Sequence, residues 1–181
     1  MAKLKYLKYS GLWPNTKVEG LEEVMNNLNL QLENIEGKTM AGMIKAAAHI
    51  RVQTETKRPL TPVDYGNLKA SWFVVTAKSI VAGRGTSGFK DNKKNGIKAA
   101  TLIDDHLQML EEGQGKVASL ELGNNGKFLM FGYSANYAIF VHENMEVENW
   151  SRKGSGPKWL ETHVKRNTKK MLDIITLNAK I

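Results

Sequence analysis

The sequence predicts an α+β domain: a small antiparallel sheet packed against two N-terminal helices and a long C-terminal helix. Three observations carry this prediction. Apolar residues recur at helical spacing before Arg58 and again after Pro157. Between these regions, β-branched and aromatic residues gather in short runs bounded by Gly, Asn and Pro. No internal repeat or composition break divides the 181 residues. The chain therefore reads as an extended N-terminal arm, residues 1–17, and a single domain, residues 18–178.

In the arm, Tyr6, Leu7, Tyr9, Leu12 and Trp13 follow no sustained period, and Pro14-Asn15 closes the segment. An apolar arm of this kind suits a neighbouring subunit and suits its own domain equally. From Leu21 to Ile35, apolar residues at 21, 24/25, 28, 32 and 35 trace a helical stripe. Glu22 and Glu23 stand in its first turn, where the helix dipole favours carboxylates, and Gly37 is a natural stop. A second helix follows over 39–57, with Met40, Met43, Ile44, Ala47 and Ile50 inward and His49 on the polar side.

Pro59 and Pro62 end that helix, because each lacks an N–H donor and biases its predecessor to extended geometry. Asp64 is then placed to accept a backbone N–H two or three residues on, with Gly66 free to take positive φ. Leu68 and Trp72 plug the core. Asp64, Gly66 and Asn67 thus read as turn chemistry in preference to catalysis.

A strand is predicted over 71–81. The run Gly83-Arg-Gly-Thr-Ser-Gly88, with Asp104 about twenty residues on, matches the spacing of a dinucleotide fingerprint. That chemistry needs a helix to open at the third glycine, and a polar loop follows instead. Phe89, not Lys, follows Gly88, so it is not a Walker A loop either. No nucleotide cofactor is expected. Residues 83–96 read as a flexible basic loop bearing Arg84, Lys90, Lys93 and Lys94. With a short helix over 99–112, closed by Gly113-Gln-Gly115, it forms an insertion at about 83–115; His106 there has no evident partner.

Residues 117–122 and 127–133 flank Gly123-Asn-Asn-Gly126, a hairpin signal. A short helix is predicted over 137–143, then a loop carrying Trp150, then a helix from Pro157 to about Asn178. In that last helix Leu160, Val164, Met171 and Ile175 face inward, and Lys158, Lys165 and Lys169 lie opposite.

The net charge of +8 and pI near 9.6 suit an acidic partner: DNA, an acidic protein surface or a neighbouring subunit. The absence of cysteine excludes disulfides, thiolate metal sites and a Cys nucleophile. There is no signal-peptide pattern and no membrane-length apolar run, so a soluble protein made in the cytosol is expected. Gly132-Tyr-Ser134-Ala-Asn136 departs from a nucleophile elbow at its fifth residue. His142-Glu143-Asn-Met-Glu146 lacks the second histidine of a zincin. No catalytic residue, metal or cofactor is therefore expected, and a hydrolase built on Ser134 and His142 ranks last.

Two segments resemble a known family. Pro62-Val-Asp-Tyr-Gly-Asn-Leu-Lys-Ala-Ser-Trp72 is similar to the Pro-Val-Asp-Thr-Gly-x-Leu-Arg-x-Ser segment of the tail-completion or neck proteins of long-tailed bacteriophages. Gly132-Tyr-Ser-Ala-Asn-Tyr-Ala-Ile-Phe-Val-His-Glu143 is similar to that family's Tyr-Ala-x-x-Val-Glu/His-Glu element. Val18-Glu-Gly-Leu-Glu-Glu23 resembles its opening Gly-Leu-x-Glu more weakly. The resemblance makes Pro62, Asp64, Gly66, Leu68, Trp72, Tyr137, His142 and Glu143 the motif residues. It implies a structural virion protein of the neck or tail, made in the host cytoplasm. Its copies would close a ring, commonly a hexamer, between portal-side or head-completion proteins and the tail tube or its terminator.

In such a ring Arg84, Lys90, Lys93 and Lys94 would face non-specific double-stranded DNA in the channel. Tyr6, Leu7, Tyr9, Trp13 and Trp150 would supply subunit contacts, and no membrane is involved. The alternative is a non-enzymatic, basic nucleic-acid-binding protein.

Overall fold

A computed structural model describes residues 21–124, 126–147 and 149–180. The arm residues Tyr6, Leu7, Tyr9 and Trp13 lie outside the described residues. The fold is α+β, with a three-stranded antiparallel sheet in the order β2-β1-β3.

Helix α1 spans Leu21–Thr56, 36 residues, and is about 54 Å long at 1.5 Å per residue. The two N-terminal helices expected from the pattern are thus one. Gly37 does not stop it: Thr39 Oγ1 donates back to the Ile35 carbonyl (2.8 Å), across the glycine. A glycine inside a helix costs only about 1 kcal/mol against alanine, too little to break a rod that is hydrogen-bonded on both sides.

The expected strand over 71–81 is two strands, β1 (Trp72–Thr76) and β2 (Ile80–Ala82). They reverse where Thr76 N–H donates to the Ser79 carbonyl and Ser79 N–H donates to Thr76 Oγ1. Strand β3 (Leu129–Tyr133) flanks β1 on the other side, pairing Trp72 with Tyr133 and Thr76 with Leu129. The predicted hairpin is absent, because residues 117–122 are the last turns of helix α3 (Ala99–Gly123).

That helix runs through both glycines read as its stop. His106, Leu110, Gly113 and Val117 form its buried stripe. A Cβ on Gly113 would lie 3.4 Å from Val75 Cγ2 and 3.5 Å from Met130 Sδ. The glycine is therefore a close-approach residue of helix on sheet.

The alternation of β1 sorts the core. Trp72 and Val74 face Ala47 and Ile50 of α1 together with Leu160 and Val164. Phe73 and Val75 face Leu110 and Val117 of α3. Helices therefore cover both faces of the sheet, and every residue of β1 is buried. Fully burying side chains such as Ile50, Val75 and Leu110 contributes about 1.5–3 kcal/mol each.

A short helix, α2 (Asn67–Ala70), precedes β1; α4 (Ala138–Glu143) and α5 (Trp159–Ala179) complete the domain. Helix α5 runs antiparallel to α1. Gly42 meets Ile175, His49 Nε2 lies 3.2 Å from Asn167 Oδ1, and His163 Nε2 is 3.0 Å from the Lys57 and Pro59 carbonyls. His49, expected in solvent, is half-buried in this seam.

Candidate functional site, an apolar cleft at the hinge

The chain leaves α1 through a polar knot. Tyr133 Oη lies 2.8 Å from Thr61 Oγ1 and 3.2 Å from Thr54 Oγ1, and accepts from Arg51 Nη1 (3.0 Å). The Arg51 guanidinium sits 5.4 Å from the Trp72 ring centroid and 5.5 Å from that of Tyr133, within cation–π range. Glu55 Oε2 pairs with Lys69 (2.7 Å) and Arg152 (3.1 Å). Its buried Oε1 is 3.3 Å from Arg51 Nη1, an ion-pair distance without hydrogen-bond alignment. This knot ties α1, the hinge, β3 and the 150–156 loop together, and sequence reasoning did not find it. Its members are drawn from positions 51 to 152, and nothing local marks them.

On this frame the hinge and α4 enclose a cleft of about 440 Å³. Pro62, Gly66 and Leu68 come from the hinge, Tyr137 and Val141 from the β3–α4 segment, and Trp150 from the loop beyond. Asn92, Asn95 and Ile97 complete it from the basic insertion. The two family-like segments, far apart in sequence, therefore meet at one surface. Trp72 lies behind the cleft, in the core. On the outer side of α4 and just after it, Ile139, Phe140 and Met145 are 59%, 73% and 69% exposed.

Gly66 takes the positive φ expected of it, 92°. Asp64 does not act as the turn acceptor: it is exposed and, among the described residues, accepts no hydrogen bond. Asn67 holds the turn. Its Nδ2 donates to the Lys90 carbonyl (2.9 Å) and its Oδ1 accepts from Lys90 N–H (2.7 Å). An amide can do both, whereas a carboxylate only accepts. Burial, and then the Asp64 carboxylate, push the Tyr137 phenol above its ordinary pKa.

His142 and Glu143 stand at the end of α4. His142 Nδ1 is 2.8 Å from Glu143 Oε1, the His142 carbonyl accepts from Lys158 N–H (2.8 Å), and Glu143 pairs with Lys158 Nζ. Lys158, with His142 second, holds the Glu143 carboxyl below the usual carboxylate range. These residues fasten α4 to the start of α5.

Arg84, Lys90, Lys93 and Lys94 are all exposed. Their loop is anchored at several points. Phe89 is buried against the His106 ring (5.2 Å), Asn67 grips Lys90, Asn92 pairs with Ile97, and Asp91 Oδ1 accepts from Ala99 N–H (2.8 Å).

His106 also answers for Ser134. Its Nδ1 lies 2.5 Å from Ser134 Oγ and its Nε2 2.5 Å from the Gly83 carbonyl. The serine's histidine is therefore His106, not His142. Both residues are buried, and the adjoining cavity is only about 10 Å³, too small for an acyl group. The pair clips the ends of β2 and β3 to α3.

Among the described residues, no group of three or more His, Asp or Glu is placed to hold a metal ion, and no helix is long and apolar enough to cross a membrane. No family model, curated protein or solved structure matches the chain.

Proposed function

We propose that this chain is a structural virion protein of the neck of a long-tailed phage. Its copies form a ring, sixfold by the resemblance, that joins the DNA-filled head to the tail. The observation that carries the reading is the meeting of segments 62–72 and 132–143 at one apolar cleft, with Ile139, Phe140 and Met145 exposed on the same α4 segment. An exposed apolar surface of that kind marks a protein contact. Identical subunits closing a ring need two different complementary surfaces, and this cleft supplies one. Portal-side or head-completion proteins and the tail tube or its terminator are the proposed neighbours. Arg84, Lys90, Lys93 and Lys94 are proposed to face the DNA channel.

A second reading, a basic nucleic-acid-binding protein, rests on those same exposed cations. Against it, Phe89 is the only aromatic residue of the loop and is turned into the core, which leaves no base-stacking platform on that loop. Infection by a phage lacking the protein tests the first reading. Filled heads and separate tails are expected to accumulate unjoined; normally joined virions would overturn it. A tight, sequence-selective DNA complex at physiological salt would favour the second reading.

A further inference from the structure

The hinge cleft carries a single charge. Asp64 is the only ionised residue that lines it, and its exposed carboxylate accepts no hydrogen bond among the described residues. The field of that carboxylate reaches the Tyr137 phenol, whose pKa it helps burial to raise. Tyr65, Tyr137 and Trp150 supply aromatic walls, which hold apolar side chains and cations alike. Asn95 and Asn136 line the cleft and are exposed, and their amides can donate to and accept from an extended backbone. A helix would bring no free backbone groups to meet them. The cleft therefore suits an extended segment that is both apolar and cationic.

A segment of that chemistry stands in this chain's own sequence. The arm, residues 1–17, holds Lys3, Lys5, Lys8 and Lys17 and no Asp or Glu. Tyr9, Leu12 and Trp13 stand among those lysines. Gly11 and Pro14 disfavour a helix across it, which leaves its backbone groups free to pair.

Leu12 and Trp13 cannot enter the cleft of their own copy. The hinge is held to the far end of α1, where Arg51 Nη2 donates to the Lys69 carbonyl (2.8 Å) and Thr61 N–H donates to the Thr54 carbonyl. From Leu21 to Arg51 the continuous helix runs about 45 Å. Even fully drawn out, the chain from Leu21 back to Trp13 spans about 29 Å, and back to Leu12 about 32 Å. We propose that the arm docks in the hinge cleft of a second copy, with Leu12 and Trp13 against its apolar and aromatic walls and Lys8 at Asp64. One copy then gives an arm and the next a cleft, two different surfaces that join copies head to tail. The proposal rests on the ring reading and names its interface.

Because the chain lacks cysteine, engineered pairs report the contact cleanly. Full-length L12C is mixed with full-length I97C, which places one thiol on the arm and one on the cleft wall. The control is L12C mixed with L172C, an exposed position of α5. Disulfide-linked heterodimer is expected to exceed the control by about tenfold. D64K in the I97C chain is expected to remove most of the excess, and K8E added to the L12C chain to restore it. An excess indifferent to D64K would overturn the part given to the carboxylate. An intramolecular disulfide in the double variant L12C/I97C would place the arm on its own cleft and overturn the proposal. Sedimentation of the unmodified chain runs in parallel. Multimers without selective 12–97 cross-linking would overturn this interface and leave the ring reading standing. A chain with neither multimers nor selective cross-links would overturn the interface, and the ring reading would then rest on the phage experiment.

Discussion

One substitution made at two places on α1 tests both its continuity and its packing. At Gly42, an added Cβ would lie 2.9 Å from Ile175 Cα, 3.1 Å from its carbonyl oxygen and 3.2 Å from Asn178 Cβ. The first two are backbone atoms and cannot rotate away, so α1 and α5 must separate. Overpacking of this kind costs about 1–3 kcal/mol, and the helix-propensity gain of alanine returns about 1. Gly42→Ala is therefore expected to destabilise, by up to about 2 kcal/mol. In a domain of this size that is a fall in Tm of up to about 8 °C.

At Gly37 nothing lies within 4 Å, so only the propensity gain remains. Gly37→Ala is expected to raise Tm by up to about 4 °C and to increase helicity. Thermal melts followed by circular dichroism at 222 nm read both. A stabilising Gly42→Ala would mean that α1 and α5 do not approach so closely. A destabilising Gly37→Ala would mean that the helix stops there, with glycine in the left-handed conformation its sequence position suggests.

Two further outcomes follow from the site. Asn67→Ala is expected to cost about 1–3 kcal/mol by leaving the Lys90 N–H and carbonyl without their partner, while Asp64→Ala stays within about 0.5 kcal/mol; urea denaturation of both decides which residue holds the turn. Lys158→Gln is expected to return the Glu143 carboxyl to the ordinary range, read by carboxyl-carbon NMR titration. Because the folded pKa of Glu143 is lowered, its contribution is present above the unfolded value and fades as pH falls through the folded one. The variant's stability deficit should therefore be seen at neutral pH and shrink in acid below the usual carboxylate range.

What was legible in the sequence was local. Pro59 and Pro62 mark the end of α1, Gly66 marks the positive-φ turn, and the apolar periods of α1 and α5 show in the bare pattern. What was missed depends on partners distant in the chain. Gly113 reads as a stop until Val75 and Met130 are seen beside it, and residues 117–122 satisfy the period of a helix as readily as that of a strand. The pattern points to Asp64 because acidic residues often cap turns, yet the partner here is the Lys90 backbone, whose N–H and carbonyl the Asn67 amide satisfies together and a carboxylate cannot. His106 and Ser134 found each other across 28 residues, with no motif to announce them.

The hinge cleft and the exposed apolar residues Val24, Leu28 and Leu32 stand towards opposite ends of α1. Arg51, Thr54 and Glu55 of α1 fasten Tyr133, Lys69 and Arg152, so the hinge and the β3–α4 segment that shape the cleft are pinned to the last turns of the helix. The exposed Val24, Leu28 and Leu32 lie on the earlier turns of the same helix. A surface that recognises a partner loses less to ordering when it is already stiff, and a continuous helix also fixes the distance and direction between its two ends. The helix that a stop at Gly37 would have divided is thus what relates one surface to the other.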